Sequence, residues 1–325
     1  MGPRLVVDAA LELSVVGSFS APGYAIRRRL FGWEDTGRDA LRGRTVAITG
    51  PTSGLGRAAA GSLAAAGARV LLVGRSQERL RAVHDELVAA HEDDRFPVVL
   101  ADMASLESVA AAVRSIRERE PRLDVLVDNA GVMPADRRQS PDGIELAMAT
   151  MVVGPFALTA GLLPLLRANG GGRVIGVTSG GMYTQAVDFD DLQWTSRPFS
   201  GPRAYAMAKR IQVALVREWA RRLAGSGVTC NAMHPGWADT PGLAESLPGF
   251  YRLMRPLLRT SAQGADTITW LATAPEAGRL SGRLFLDRRP RPFDRVPGTR
   301  LSAADRGRLW RTIVALAGVP DPAPG

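Results

Sequence analysis

The chain has 325 residues, 46% hydrophobic and 22% charged, enough apolar material to close one large core with appendages, which excludes a disordered or fibrous protein. A formal charge of +9 is compatible with polyanion binding, but the arginines that carry it are scattered along helical stretches with no aromatic-basic platform, so no nucleic-acid partner is expected. Cys230 is the single cysteine, which forbids an intrachain disulfide, suits a cytoplasmic location and marks a buried structural thiol.

In chain order, residues 1–43 form an extension. Its apolar run at 5–16 is interrupted by Asp8 and Glu12, unlike a secretory core or a membrane span. Arg27, Arg28 and Arg29 beside Leu30, Phe31 and Trp33 are of a kind that suits a headgroup boundary. No single face is cleanly apolar, however, so the preferred reading is a segment packed on the body and peripheral membrane contact is not favoured. From residue 44, short β-branched runs at 46–49, 70–73, 98–101, 125–127, 174–178, 228–233 and 284–286 alternate with amphipathic stretches at 55–66, 77–91, 106–119, 142–167, 203–223 and 262–272. That alternation predicts an α/β, Rossmann-type doubly wound sheet of seven parallel strands with helices on both faces, one domain over 44–287. The tail, 288–325, reads as a Pro/Arg-rich link and a helix over 303–317 capped by Ser302.

Two constellations carry chemistry. Thr49-Gly50-Pro51-Thr52-Ser53-Gly54-Leu55-Gly56 follows the first strand and opens an alanine-rich helix. Gly50 suits a tight turn, Gly54 a close backbone approach to a pyrophosphate and Gly56 close helix-strand packing, with the helix N-terminus facing the phosphates. Arg75 ends the second strand, where a carboxylate would hold a free ribose 2′-hydroxyl; a guanidinium there suits a 2′-phosphate, so NADP(H) is expected over NAD(H). Arg57 is a weaker helper, and both arginines also read as ordinary surface charges. The second constellation is Tyr205 and Lys209, four residues apart on one helical face. A phenol titrates at about 10, and an adjacent ammonium favours the phenolate and lowers that value. Lys209 is also the only lysine of the chain, among 41 basic side chains. No metal is expected.

Taken together, the glycine turn, Asn129-Ala130-Gly131, Ser179 and the Tyr-x-x-x-Lys pair resemble, in order, the short-chain dehydrogenase/reductase superfamily over about residues 45–286. The resemblance implies that Asp102 lies beside the adenine and that Asn129, Ala130 and Gly131 close the fourth strand. It also implies that Pro235, Gly236 and Thr240 hold the nicotinamide carboxamide and that Ser179 hydrogen-bonds the substrate carbonyl. Read from the residues alone, Ser179 equally closes a strand end. Helices 142–167 and 203–224 commonly form the family's dimer interface, so a homo-oligomer is expected. His234 reads as structural. The segment 182–202, with Asp188, Asp190, Asp191 and Trp194, borders the substrate mouth on this pattern, and Phe199, Trp237, Leu243 and Phe250 nearby suit a lipophilic carbonyl or alcohol substrate.

Two departures stand out. Asp128 replaces the Asn usual before Asn-Ala-Gly, and Met151 stands where the family carries an Asn whose water links the lysine to solvent. A thioether cannot reproduce the amide's donors. The leading expectation is an oxidoreductase interconverting a ketone or aldehyde and an alcohol by hydride transfer. The alternative, motivated by Met151, is an NADP(H)-binding sensor or scaffold with little turnover, and a sugar-nucleotide epimerase or dehydratase ranks last.

Overall fold

The computed structural model describes residues 2–168 and 170–322. Three helices precede the sheet: α1 (Pro3–Leu13), α2 (Val15–Phe19) and α3 (Ala21–Phe31). The core runs β1 (Thr45–Thr49), α4 (Gly54–Ala65), β2 (Arg69–Gly74), α5 (Gln77–His91), β3 (Val98–Leu100), α6 (Leu106–Arg119) and β4 (Val125–Asp128). It continues with α7 (Leu146–Met148), a π-turn (Ala149–Val153), α8 (Gly154–Arg167), β5 (Arg173–Val177), α9 (Gly201–Arg222) and β6 (Thr229–Met233). The last elements are α10 (Pro241–Ser246), α11 (Pro248–Met254), α12 (Ser261–Thr273), β7 (Leu284–Leu286), β8 (Arg289–Arg291) and α13 (Ala303–Ala317).

The strands form one sheet in the order β3-β2-β1-β4-β5-β6-β7-β8. β1 to β7 pair in parallel, and β8 turns back antiparallel on β7, with Phe285 opposite Pro290. The doubly wound sheet therefore has eight strands where seven are expected from the sequence. The eighth went unread because Arg-Pro-Arg lacks β-branched residues; what forms it is the hairpin turn at Asp287 and Arg288, both at φ 56°.

Periodicity explains the layers. α5 buries Leu80, Val83 and Leu87, and α6 buries Val109, Ala112 and Ile116, each a single stripe at helical spacing. Ser76 and Ser105 cap the two helices by accepting from the amides of Arg79 and Ser108. α4, α5 and α12 cover one face of the sheet, α6, α8, α9 and α13 the other. The expected helix over 142–167 is interrupted by the π-turn. Its stretch Leu146–Arg167 is long and apolar enough to cross a membrane, but 78% of its most apolar window is buried inside the fold, as in a core helix.

α13 lies across α8 and α9. Trp310 meets Phe156 at 4.9 Å and Trp219 at 4.7 Å between ring centroids, closing an aromatic cluster. The chain's own tail thus packs on the two helices that the family resemblance assigns to pairing two copies.

Candidate active site

The chain reverses its direction of travel across the sheet between β1 and β4, and such a switch point opens a crevice at the carboxyl ends of the strands. The glycine turn lies there. Gly50 and Gly54 adopt φ +67° and +49°, a backbone open to glycine at little cost. A Cβ on Gly56 would run into the Gly50 carbonyl oxygen, so α4 can start this close to β1 only with glycine there. Asn129 braces the turn from β4: its side-chain amide donates to the Thr49 carbonyl at 2.9 Å and to Gly50 at 3.2 Å. The amides of Asn129 and Ala130 donate to Thr49 Oγ1. Asn129 and Ala130 thus shape the cradle from behind. Thr52, Ser53 and Leu55 line the turn itself, and the Ser53 hydroxyl caps nothing. These features fit a dinucleotide at the first turn of α4.

Arg75, exposed at the end of β2, makes no hydrogen bond or ion pair among the described residues, whereas Arg57 is engaged by Glu86. Asp102, just past β3, accepts the Ala104 amide at 2.9 Å and acts as a turn cap. Thr240 caps α10 by accepting the Leu243 amide.

Tyr205 and Lys209 lie on α9 and Ser179 closes β5, and the structure brings the three together. The Ser179 hydroxyl accepts the Gly181 amide at 3.3 Å and also hydrogen-bonds the Tyr205 phenol, so both readings of this serine describe one side chain. Burial pushes the Tyr205 pKa up, and it is Ser179 that pulls it back down. Lys209 Nζ donates to the Val177 carbonyl at 2.7 Å and lies 5.6 Å from the centre of the Tyr205 ring. It is therefore next to the aromatic ring rather than bonded to its oxygen, and the expected direct lowering of the phenol by the ammonium is not what this arrangement displays.

Burial lowers Lys209 to about 7, and the charge of Asp128 works the other way. Asp128 is itself pushed up to about 7 by burial, opposed by a hydrogen bond from Thr159 at 3.2 Å and by Lys209. Its Oδ1 has no hydrogen-bond partner. Leu126 packs among the α8 and α9 residues, and strand alternation turns Asp128, two residues on, to that same side. Met151 occupies the π-turn, fully buried; its sulfur is 3.4 Å from where a Cβ on Gly131 would stand, and Lys209 Nζ is 3.8 Å from the same point. The thioether and the ammonium thus both border the space in front of Gly131.

The loop after β6 is held from a distance. The Trp237 amide donates to the Phe19 carbonyl at 2.8 Å, and a Cβ on Gly236 would strike both that oxygen and Arg259. Arg259 donates to Pro235, Ser18 and Ser20 carbonyls and pairs with Asp287 at 2.6 Å. Arg27 joins Asp287, Asp8 and Glu12, each at 2.8 Å. Burial pushes Asp287 up, yet the guanidiniums of Arg259 and Arg27 hold it below the ordinary carboxylate range. Phe19, Arg27, Arg259 and Asp287 hold this loop and were missed by sequence reasoning, because partners up to 260 positions apart leave no local pattern. Arg27 had been grouped with Arg28 and Arg29 as a basic cluster; instead it is a fully buried counter-ion. His234 is buried between Phe19 and Tyr183, and burial lowers it to about 3, a neutral core ring.

The segment 182–202 is folded inward. Trp194 is buried against Phe199 under the Arg197 guanidinium, and Asp191 caps Thr195 at 2.6 Å. Trp237 and Phe250 stack edge-on at 5.4 Å on the other side, where Leu243 is half-buried. A separate surface hollow of about 820 Å³ lies between α5 and α6, lined by Gln77, Arg81, His84 and Ser115, remote from the Tyr205 chemistry.

Comparison with known proteins places these features. Residues 44–248 match the short chain dehydrogenase family profile. The chain is 39% identical over 278 residues to dehydrogenase/reductase SDR family member 12 of Bos taurus, covering 85% of this chain and 86% of that protein. It is 31% identical over 283 residues to retinol dehydrogenase 13 of Homo sapiens, covering 85% and 86%. Among solved structures, 3-ketoacyl-(acyl-carrier-protein) reductase from Brucella melitensis, complexed with NADH, aligns with a TM-score of 0.61 at 25% identity, over 75% of this chain and 96% of that one.

Proposed function

Since the chain belongs to the short-chain dehydrogenase/reductase family and is an NAD(P)-dependent oxidoreductase, we propose that it interconverts a lipophilic ketone or aldehyde and its alcohol with NADP(H). The observation that carries the proposal is the convergence of Ser179, Tyr205 and Lys209 at the open end of the sheet beside the glycine cradle. When bound, the dinucleotide supplies or accepts the hydride. Tyr205 donates the proton to the substrate oxygen, Ser179 hydrogen-bonds that oxygen as negative charge develops on it, and Lys209 anchors the cofactor ribose beneath the phenol. Gly50, Gly54 and Gly56 admit the pyrophosphate and Arg75 faces a 2′-phosphate. The apolar walls at Phe199, Trp237 and Phe250, and the name of the retinol-oxidising relative, support a lipophilic substrate.

Stopped-flow NADPH oxidation over a panel of ketones, aldehydes and quinones tests this. Wild type consumes NADPH with at least one apolar carbonyl, and Tyr205→Phe slows turnover at least ~10²-fold while retaining NADPH binding. Equally flat traces for both proteins refute the reductase and favour the sensor reading that Met151 suggests.

A further inference from the structure

α1 is built inside out. A surface helix normally turns its apolar stripe to the core and its charges to water; here Asp8 is buried, and Glu12 faces inward to Arg27 and Arg295. Asp8 pairs with Arg27 at 2.8 Å and with Arg291 at 2.9 Å. With the acids drawn in, the opposite face carries Val6 and Leu13, 52% and 89% exposed, and α2 extends it with Val15 and Val16. Of the exposed large hydrophobic side chains among the described residues, most lie between Leu5 and Ile26, a concentration of apolar surface that soluble monomers rarely leave open.

We infer that this outer face of α1 and α2 rests on an anionic lipid surface. The exposed charged side chains of α1 to α3 are Arg4, Arg28 and Arg29; Arg28 pairs with Asp35 at 2.7 Å, which leaves Arg4 and Arg29 as the cations without an acid partner among the described residues of this segment. Apolar side chains beside two uncompensated cations match a bilayer interface with acidic headgroups. A second copy of the chain matches it worse, because a two-fold contact sets a patch against itself and would bring these arginines together. The segment 27–33, whose preferred reading from sequence is packing on the body, does pack there: Arg27 is buried, and Phe31 and Trp33 pack against Arg289 and Tyr24. At its far end the patch reaches Phe19, which stacks on Trp237, and Trp237 on Phe250, so the docked face borders the loop beside the site.

Flotation of the full-length protein with vesicles of phosphatidylcholine alone, or of equal parts phosphatidylcholine and phosphatidylglycerol, decides the matter. Wild type floats with the anionic vesicles only. The pair Val6→Ser and Leu13→Ser, and separately Arg4→Gln and Arg29→Gln, each lower the bound fraction about tenfold with an unchanged melting temperature. The inference is overturned if wild type stays at the bottom with both vesicles or if the serine pair floats as well as wild type. It is also overturned if light scattering finds a dimer that the serine pair dissolves, in which case a second copy covers the face.

Discussion

Because Lys209 is the only lysine of the chain, its charge state can be read from one NMR signal, and Asp128→Asn tests what sets it. Burial draws the ammonium down to about 7 and the Asp128 carboxylate resists. Two unit charges 4 Å apart in a medium of effective dielectric near 20 interact by about 4 kcal/mol. Lys209 makes no ion pair within 4.0 Å among the described residues, so about half that is a fair ceiling, and a carboxyl itself titrating near 7 is only part ionised. The expected loss is therefore on the order of one pK unit, about 1.4 kcal/mol. Protein labelled with ¹³Cε-lysine would show its single resonance titrating about one pH unit lower in Asp128→Asn. At pH 7.5 the charged fraction would fall from about a quarter to about 3%, and turnover that needs the ammonium would fall about eightfold, with the alkaline limb of the rate profile moving down by the same unit. The stability sign is opposite. A folded carboxyl raised above its unfolded value binds the extra proton in the native state, so the native state loses stability as pH rises from about 4 to about 7. The amide removes that loss, and Asp128→Asn should melt higher than wild type at neutral pH. A lysine midpoint that does not move on substitution refutes the counter-charge reasoning.

Other expectations follow from the same structure. Arg75→Ser should raise the KM for NADPH about tenfold or more and leave that for NADH within about twofold; equal effects on both cofactors would leave Arg75 an ordinary surface charge. Met151→Asn should raise kcat several-fold by restoring a hydrogen-bonding group beside Lys209, and an unchanged kcat would show that the thioether does not impede proton resupply. Arg27→Met strips Asp8 and Asp287 of a fully buried partner and should cost about 3–5 kcal/mol in urea unfolding, and a loss below about 1 kcal/mol would contradict the network's importance.

The doubly wound core and the candidate constellation of Ser179, Tyr205 and Lys209 were legible because their signals are local. α5, α6, β7 and α13 begin and end where periodicity and caps predicted, and the glycine turn declares itself by residue type alone. The tertiary devices were not legible. α1 to α3 and β8 depend on ion pairs reaching across the chain, as Arg27 does to Asp287. The π-turn that carries Met151 hid inside what reads as one uninterrupted apolar helix. Sequence marked Asp128 as a departure, but its meaning came only with Lys209 and Thr159 on neighbouring helices. For Ser179, the turn-closing contact to Gly181 leaves the hydroxyl placed to act on Tyr205 as well.

The Phe19 carbonyl that receives the Trp237 amide, and the Arg27–Asp287 pair, tie α2 and α3 to partners up to 260 positions further along the chain. A chain leaving the ribosome can build the β1 to β4 half early, but α1 to α3 cannot complete their ion-pair network until residue 287 has emerged. Closing so large a loop is slow and entropically costly. The loop after β6 is consequently among the last parts to set.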